Sequence, residues 1–239
     1  YQPQVRVGDG RLVGIEALLR WPQADGTMVM PNDFIPIAEQ RGLVMPIGAW
    51  VLRTACRQAR LWHASGLPKL PIAVNLSAIQ FKQRNLVEEI GRVLEETGLE
   101  PAWLVLELTE AMLARDTPDQ QRTLEGLRAL GVKVVIDDFG TGHSSLAFLK
   151  RWPIDKLKID RSFMRDVPAN ADDLAIAGAV IDLARNLGIT VIAEGVDNDA
   201  QLDFLKERGC DEMQGYLVAR PLPASEAAAF LAGRRALEL

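Results

Sequence analysis

Along the chain, short runs rich in Val, Ile and Leu alternate with longer stretches in which apolar positions return every three or four residues. The first pattern suits a pleated strand, and the second puts apolar side chains on one face of a helix. Eight strands are predicted, at residues 4–7, 12–19, 72–76, 104–108, 132–137, 156–160, 189–194 and 212–217. The first two form a hairpin through the turn Gly8-Asp9-Gly10. Helices are predicted between later strands, at 86–97, 118–130, 172–187 and 198–208, each followed by a glycine: Gly98, Gly131, Gly188 and Gly209. A glycine there supplies the left-handed cap that ends a helix. A further helix over 47–64 carries Trp50, Leu52 and Leu61, which read as core and barrel wall.

Repeated strand–helix units in 239 residues predict an α/β fold, a TIM-like (β/α)8 barrel. An open doubly wound sheet is the alternative, although no GxGxxG follows the first strand. No Pro/Gly/Ser-rich linker interrupts the pattern, so residues 1–239 read as one domain; a start at Tyr1 rather than Met reads as a piece of something longer.

Nearly every predicted strand carries or ends in a polar group. These are Glu16, Asn75, Glu107, the pair Asp137 and Asp138, Lys158 with Asp160, Glu194 and Gln214. In a barrel of parallel strands the carboxyl ends face one way, so these groups are expected at a single rim, where such barrels build chemistry. Two carboxylates about 5 Å apart repel by roughly 3 kcal/mol at an effective dielectric near 20, so several in one mouth require positive charge among them. Lys158 alone is too little. The set has no His or Cys, only carboxylates and the amide oxygen of Asn75, and hard oxygen donors select Mg²⁺ or Mn²⁺ over zinc. Adjacent acids with three or more others suit two ions, the arrangement that clamps attacking and leaving oxygens in phosphoryl-ester hydrolysis.

Charge and cysteine usage narrow the partners. A net charge of -5 gives no global field for polyanions, so polymeric nucleic acid is not expected. Cys56 and Cys210 are isolated and read as buried hydrophobes, which suits a reducing compartment, the cytoplasm. No apolar run is long enough to span a bilayer; anchoring of a longer parent protein at the inner membrane is left open.

The segments EALLRW (16–21), NLS (75–77), ELTE (107–110), DDFGTG (137–142), KLKID (156–160), AEGV (193–196) and QGY (214–216) are similar to those of the EAL-domain cyclic di-GMP phosphodiesterases, from YQP at the start to RPLP at 220–223. The resemblance implies a barrel with one antiparallel strand near the N-terminus and hydrolysis of cyclic di-GMP to linear 5′-pGpG. It implies Glu16, Asn75, Glu107, Asp137 and Asp138 as ligands of two Mg²⁺ or Mn²⁺ ions, with Ca²⁺ inhibitory. It implies that Lys158 orients the attacking water, that Glu194 assists it or completes the metal site, and that Glu110 shapes the 140–145 loop. Substrate contacts are implied for Gln2, Arg20, Asp160 and Gln214. An upstream sensory or GGDEF domain is implied for the parent protein, and a homodimer is left open.

Other readings stand beside these. Lys158 and Asp160 also suit a plain ion pair on one strand face, and Arg20 also suits a carboxylate partner. The lone His63 and His143 are not expected as ligands. His143 stands where the family usually shows Tyr, and Asp197 where it shows Glu. A receptor that binds cyclic di-GMP without cleaving it is the alternative function, and an unrelated metal-dependent barrel enzyme, such as an aldolase, is a third.

Overall fold

Among the described residues ten strands form in chain order: β1 (Gln2–Arg6), β2 (Leu12–Ala17), β3 (Trp21–Pro22), β4 (Met28–Val29), β5 (Ile72–Asn75), β6 (Leu104–Thr109), β7 (Lys133–Phe139), β8 (Lys156–Ile159), β9 (Thr190–Glu194) and β10 (Glu212–Gln214). The computed structural model describes residues 1–114, 117–142, 149 and 152–233. Eight strands close a barrel in the order β1-β10-β9-β8-β7-β6-β5-β2. β1 runs antiparallel to both neighbours, β2 and β10, and the other barrel pairings are parallel. The expected barrel and its reversed first strand are thus present, and the open sheet is ruled out.

The strand sequences explain the two-sided burial. On β6, Leu104, Leu106 and Leu108 face outward into the main core beneath the helices, while Val105 joins Ala73 and Val135 in a small separate cluster inside the barrel. Two residues further along those three strands, on the same inner face, lie Glu107, Asn75 and Asp137. The interior therefore changes from apolar to charged within one rung. Below, a cavity of about 230 Å³ opens among the strands' amino ends, beside the Lys156–Glu212 ion pair (2.8 Å to Oε1).

The helices 86–97, 118–130, 172–187 and 198–208 are found within a residue of expectation, and their four glycines are left-handed caps. Three details differ. The strand expected over 12–19 ends at Ala17 and that over 212–217 ends at Gln214, because the chain turns at the rim. Helix Val44–Ala64 buries Leu52, but Trp50 and Leu61 are 57% and 63% exposed, on its outer side. The β3–β4 hairpin and helix Pro31–Gln40 carry too short a strand pattern, and a helix interrupted by Pro36, to be read from periodicity. Among the described residues no helix is long and apolar enough to cross a membrane. Cys56 and Cys210 are buried free thiols, as expected.

Candidate functional site

Eight of the expected site residues meet at the carboxyl ends of the parallel strands. Lys158 is fully buried at their centre, its Nζ 2.6 Å from Glu194 Oε1, 3.0 Å from Glu107 Oε2, 3.3 Å from Glu16 Oε2 and 3.4 Å from Asp137 Oδ1. Asn75 donates to Glu16 Oε1 at 2.7 Å, and Gln214 donates to Glu16 Oε2 at 2.6 Å. Carboxylate oxygens of Asp137, Asp138 and Glu194 lie within 4.8 Å of one another.

Simple alternation would turn Asp137 and Asp138 to opposite faces of β7. The ladder to β8 slips between Ile136 and Phe139, a bulge that inserts one extra residue. Asp138 occupies it at φ 54, the left-handed region, and so both acids reach the mouth. Its amide donates to Asp137 Oδ1 at 3.0 Å, and its carbonyl accepts from the Thr141 hydroxyl at 2.8 Å.

The electrostatics follow from crowding. Two full charges 4.8 Å apart repel by about 3.5 kcal/mol at an effective dielectric of 20, and five acids face one lysine here. Burial, then the neighbouring Glu16 charge, pushes the Glu107 carboxyl well above its usual range. Burial pushes Glu194 up to about 8, beyond what its pairing with Lys158 lowers. Burial, Asp137 and Asp160 raise Asp138 to about 6. Glu16 goes the other way: burial raises it, but Lys158 and the amide donors hold it below the ordinary value. The Lys158 ammonium loses hydration on burial, yet the acids around it lift its pKa well above normal, so it stays charged.

The remaining expected residues surround this centre. Gln2 accepts from Gln214 and donates to the Ala219 carbonyl. Asp160 caps the short 3₁₀ turn Arg161–Phe163 by accepting from the Ser162 amide, and faces Asp138 rather than pairing with Lys158. The plain Lys158–Asp160 ion pair is therefore not formed. Glu110 is buried behind the glycine loop, where its Oε2 accepts from the amides of Gly140 (2.8 Å) and Gly142 (3.2 Å). His143 and the rest of the 140–145 loop beyond Gly142 lie outside the described residues. Arg20 stands apart, bonded to its neighbour's carbonyl at Leu19 and lining a groove with Trp50. Asp197 accepts from the Tyr216 amide, so the shorter acid still ties the ends of β9 and β10 together. His63 points to the Leu70 carbonyl, far from the acids in its contacts.

The donor set fits a divalent cation. Every candidate atom is a hard oxygen, the acids exceed the lysine's charge, and Glu107 Oε1 is buried without a hydrogen-bond partner. Sequence reasoning passed over Gln4, which donates to Gln214 from below.

Fold and rim together define an α/β barrel with a candidate divalent-metal centre at its carboxyl end. A family model described as EAL domain matches residues 1–221, and the chain belongs to that family. It is 46% identical over 232 residues to the bifunctional diguanylate cyclase/cyclic di-GMP phosphodiesterase MucR of Pseudomonas aeruginosa, covering 97% of this chain and 34% of MucR. It is 44% identical over 235 residues to the cyclic di-GMP phosphodiesterase NbdA of the same organism, covering 98% of this chain and 30% of NbdA. The solved structure of the PaMucR phosphodiesterase in complex with c-di-GMP superposes with a TM-score of 0.92 at 46% identity, covering 95% of this chain and 92% of that one. The chain thus spans about a third of the length of these two curated relatives.

Proposed function

We propose that the chain is a metal-dependent phosphodiesterase that opens cyclic di-GMP to linear 5′-pGpG, using two Mg²⁺ or Mn²⁺ ions. The observation that carries this reading is the convergence of Asp137, Asp138 and Glu194 oxygens within 4.8 Å, beside a buried Glu107 oxygen that lacks a partner. The family membership supplies the substrate. Divalent ions there supply the positive charge that admits a phosphodiester anion to an acidic mouth, and the Lewis acidity that makes water nucleophilic near neutral pH.

Glu16, Asn75, Glu107, Asp137 and Asp138 would hold the ions. Lys158, permanently charged, offsets charge developing on the phosphoryl oxygens and orients the incoming water. Glu194, whose Oε1 lies 2.6 Å from Lys158 Nζ and close to the oxygens of Asp137 and Asp138, would take a proton from that water. The water oxygen bonds to phosphorus as the P–O3′ bond breaks; the 3′ oxygen takes a proton and the 5′-phosphate stays on the product. Glu110 keeps the Gly140–Gly142 backbone beside Asp138 in shape, and the same reading makes Gln2, Arg20, Asp160 and Gln214 contacts of the substrate.

The same reading makes the chain the hydrolase part of a longer cytoplasmic protein with an upstream sensory or GGDEF domain, which its relatives' greater length supports. Incubation of purified protein with Mn²⁺ and cyclic di-GMP, followed by chromatography, tests it. Linear dinucleotide is expected. Tight binding without product over hours would instead assign a receptor, against which the intact set of acids argues.

A further inference from the structure

The Glu16 carboxylate is held by a chain of buried amides that reaches down the barrel. Gln214 Nε2 donates to Glu16 Oε2 at 2.6 Å and to Gln2 Oε1 at 2.9 Å, while Gln214 Oε1 accepts from Gln4 Nε2 at 2.8 Å. Gln4 and Gln214 are each 4% exposed. A carboxylate only accepts, so Gln214 must turn its NH₂ toward Glu16, which leaves its Oε1 pointing down the barrel and in need of a donor. Gln4 is that donor. A reversed Gln214 would set its oxygen against the carboxylate and repel it.

The neighbouring strand makes room for this. Gly14 sits directly opposite Gln4 in the β1–β2 ladder, and a Cβ there would lie 2.5 Å from Gln4 Oε1. Gln4 also borders the 230 Å³ cavity, so a displaced amide can swing into space without opening the barrel.

We propose that Gln4, given space by Gly14, is a positioning residue for the metal centre: it fixes the sense of the Gln214 amide and, through it, the orientation of Glu16. This rests on the metal-centre reading above. Gln4→Met keeps length and volume but removes the donor, and Gly14→Ala pushes the Gln4 head group aside. Calorimetric titration of the metal-free proteins with Mn²⁺, without substrate, should show about tenfold weaker binding for each variant, the lower end for groups that orient metal ligands. The double variant should be no weaker than Gln4→Met, because both changes break the same bond.

Wild-type affinity in either single variant, or losses that multiply in the double one, would overturn the proposal while leaving the metal centre standing. Loss of the folded barrel, read by circular dichroism, would make Gln4 a core residue and overturn it too. A wild-type protein that takes up no Mn²⁺ would remove the metal reading itself, and this proposal with it.

Discussion

One ammonium, Lys158, is set among four carboxylates at distances from 2.6 to 3.4 Å, and the local charge remains negative. Removing an acid relieves repulsion but deletes a ligand. Glu107→Gln or Asp137→Ala is therefore expected to lower turnover by at least about a hundredfold while the thermal midpoint holds or rises. A midpoint that falls sharply along with activity would mark these acids as structural. The pH response follows from Asp138 near 6 and Glu194 near 8, both raised from ordinary values of 3.8 and 4.5. The folded protein then binds more protons than the unfolded chain between those limits, so metal-free stability should fall as pH rises from about 4 to 8. Thermal melts in chelator across that range check this, and a flat or rising profile would contradict it. At this scale the acids, Asn75 and Lys158 were legible because each sits at a strand end. Gln4 was not, because the expected strand began there and the alternation of Gln2 with Gln4 was cut off.

At the scale of elements, backbone geometry decides which side chains reach the mouth. The β7 bulge turns Asp138 inward, and nothing in the run VVIDDF announces a bulge, since Asp is only mildly tolerant of positive φ. Strand and helix positions were readable because period-two and period-3.6 patterns are long and their caps are glycines. The ends of β2 and β10 were not, because apolar residues continue past the last ladder bond. Beyond β10, Gly215 crosses the β9 exit so closely that a Cβ would lie 2.1 Å from the Val196 carbonyl oxygen and 2.4 Å from its nitrogen. Both are backbone atoms that cannot rotate away. Gly215→Ala should cost about 3 kcal/mol, the upper end for overpacking, and weaken metal binding by moving Gln214 and Glu194 apart. Denaturant unfolding with an unchanged midpoint would show that the crossing is looser than described.

For the whole molecule, the barrel was readable from repeated units, and its closure places the rim acids together. Orientation of the first strand came from family resemblance rather than periodicity, since a hairpin pattern alone does not say how its outer strand meets β10. Exchanging Mg²⁺ for Ca²⁺ should preserve cyclic di-GMP binding and slow hydrolysis by tenfold or more, because the larger ion holds its ligands less strictly. Equal rates in both ions would count against a two-ion clamp. If the proposed centre is right, this cluster of acids holds protons until divalent cations replace them. Calorimetric titration with Mn²⁺ at pH 7, repeated in two buffers of different ionisation enthalpy, measures that exchange directly. Saturable Mn²⁺ uptake with net release of one or more protons per protein is expected. No uptake, or uptake without proton release, would contradict it.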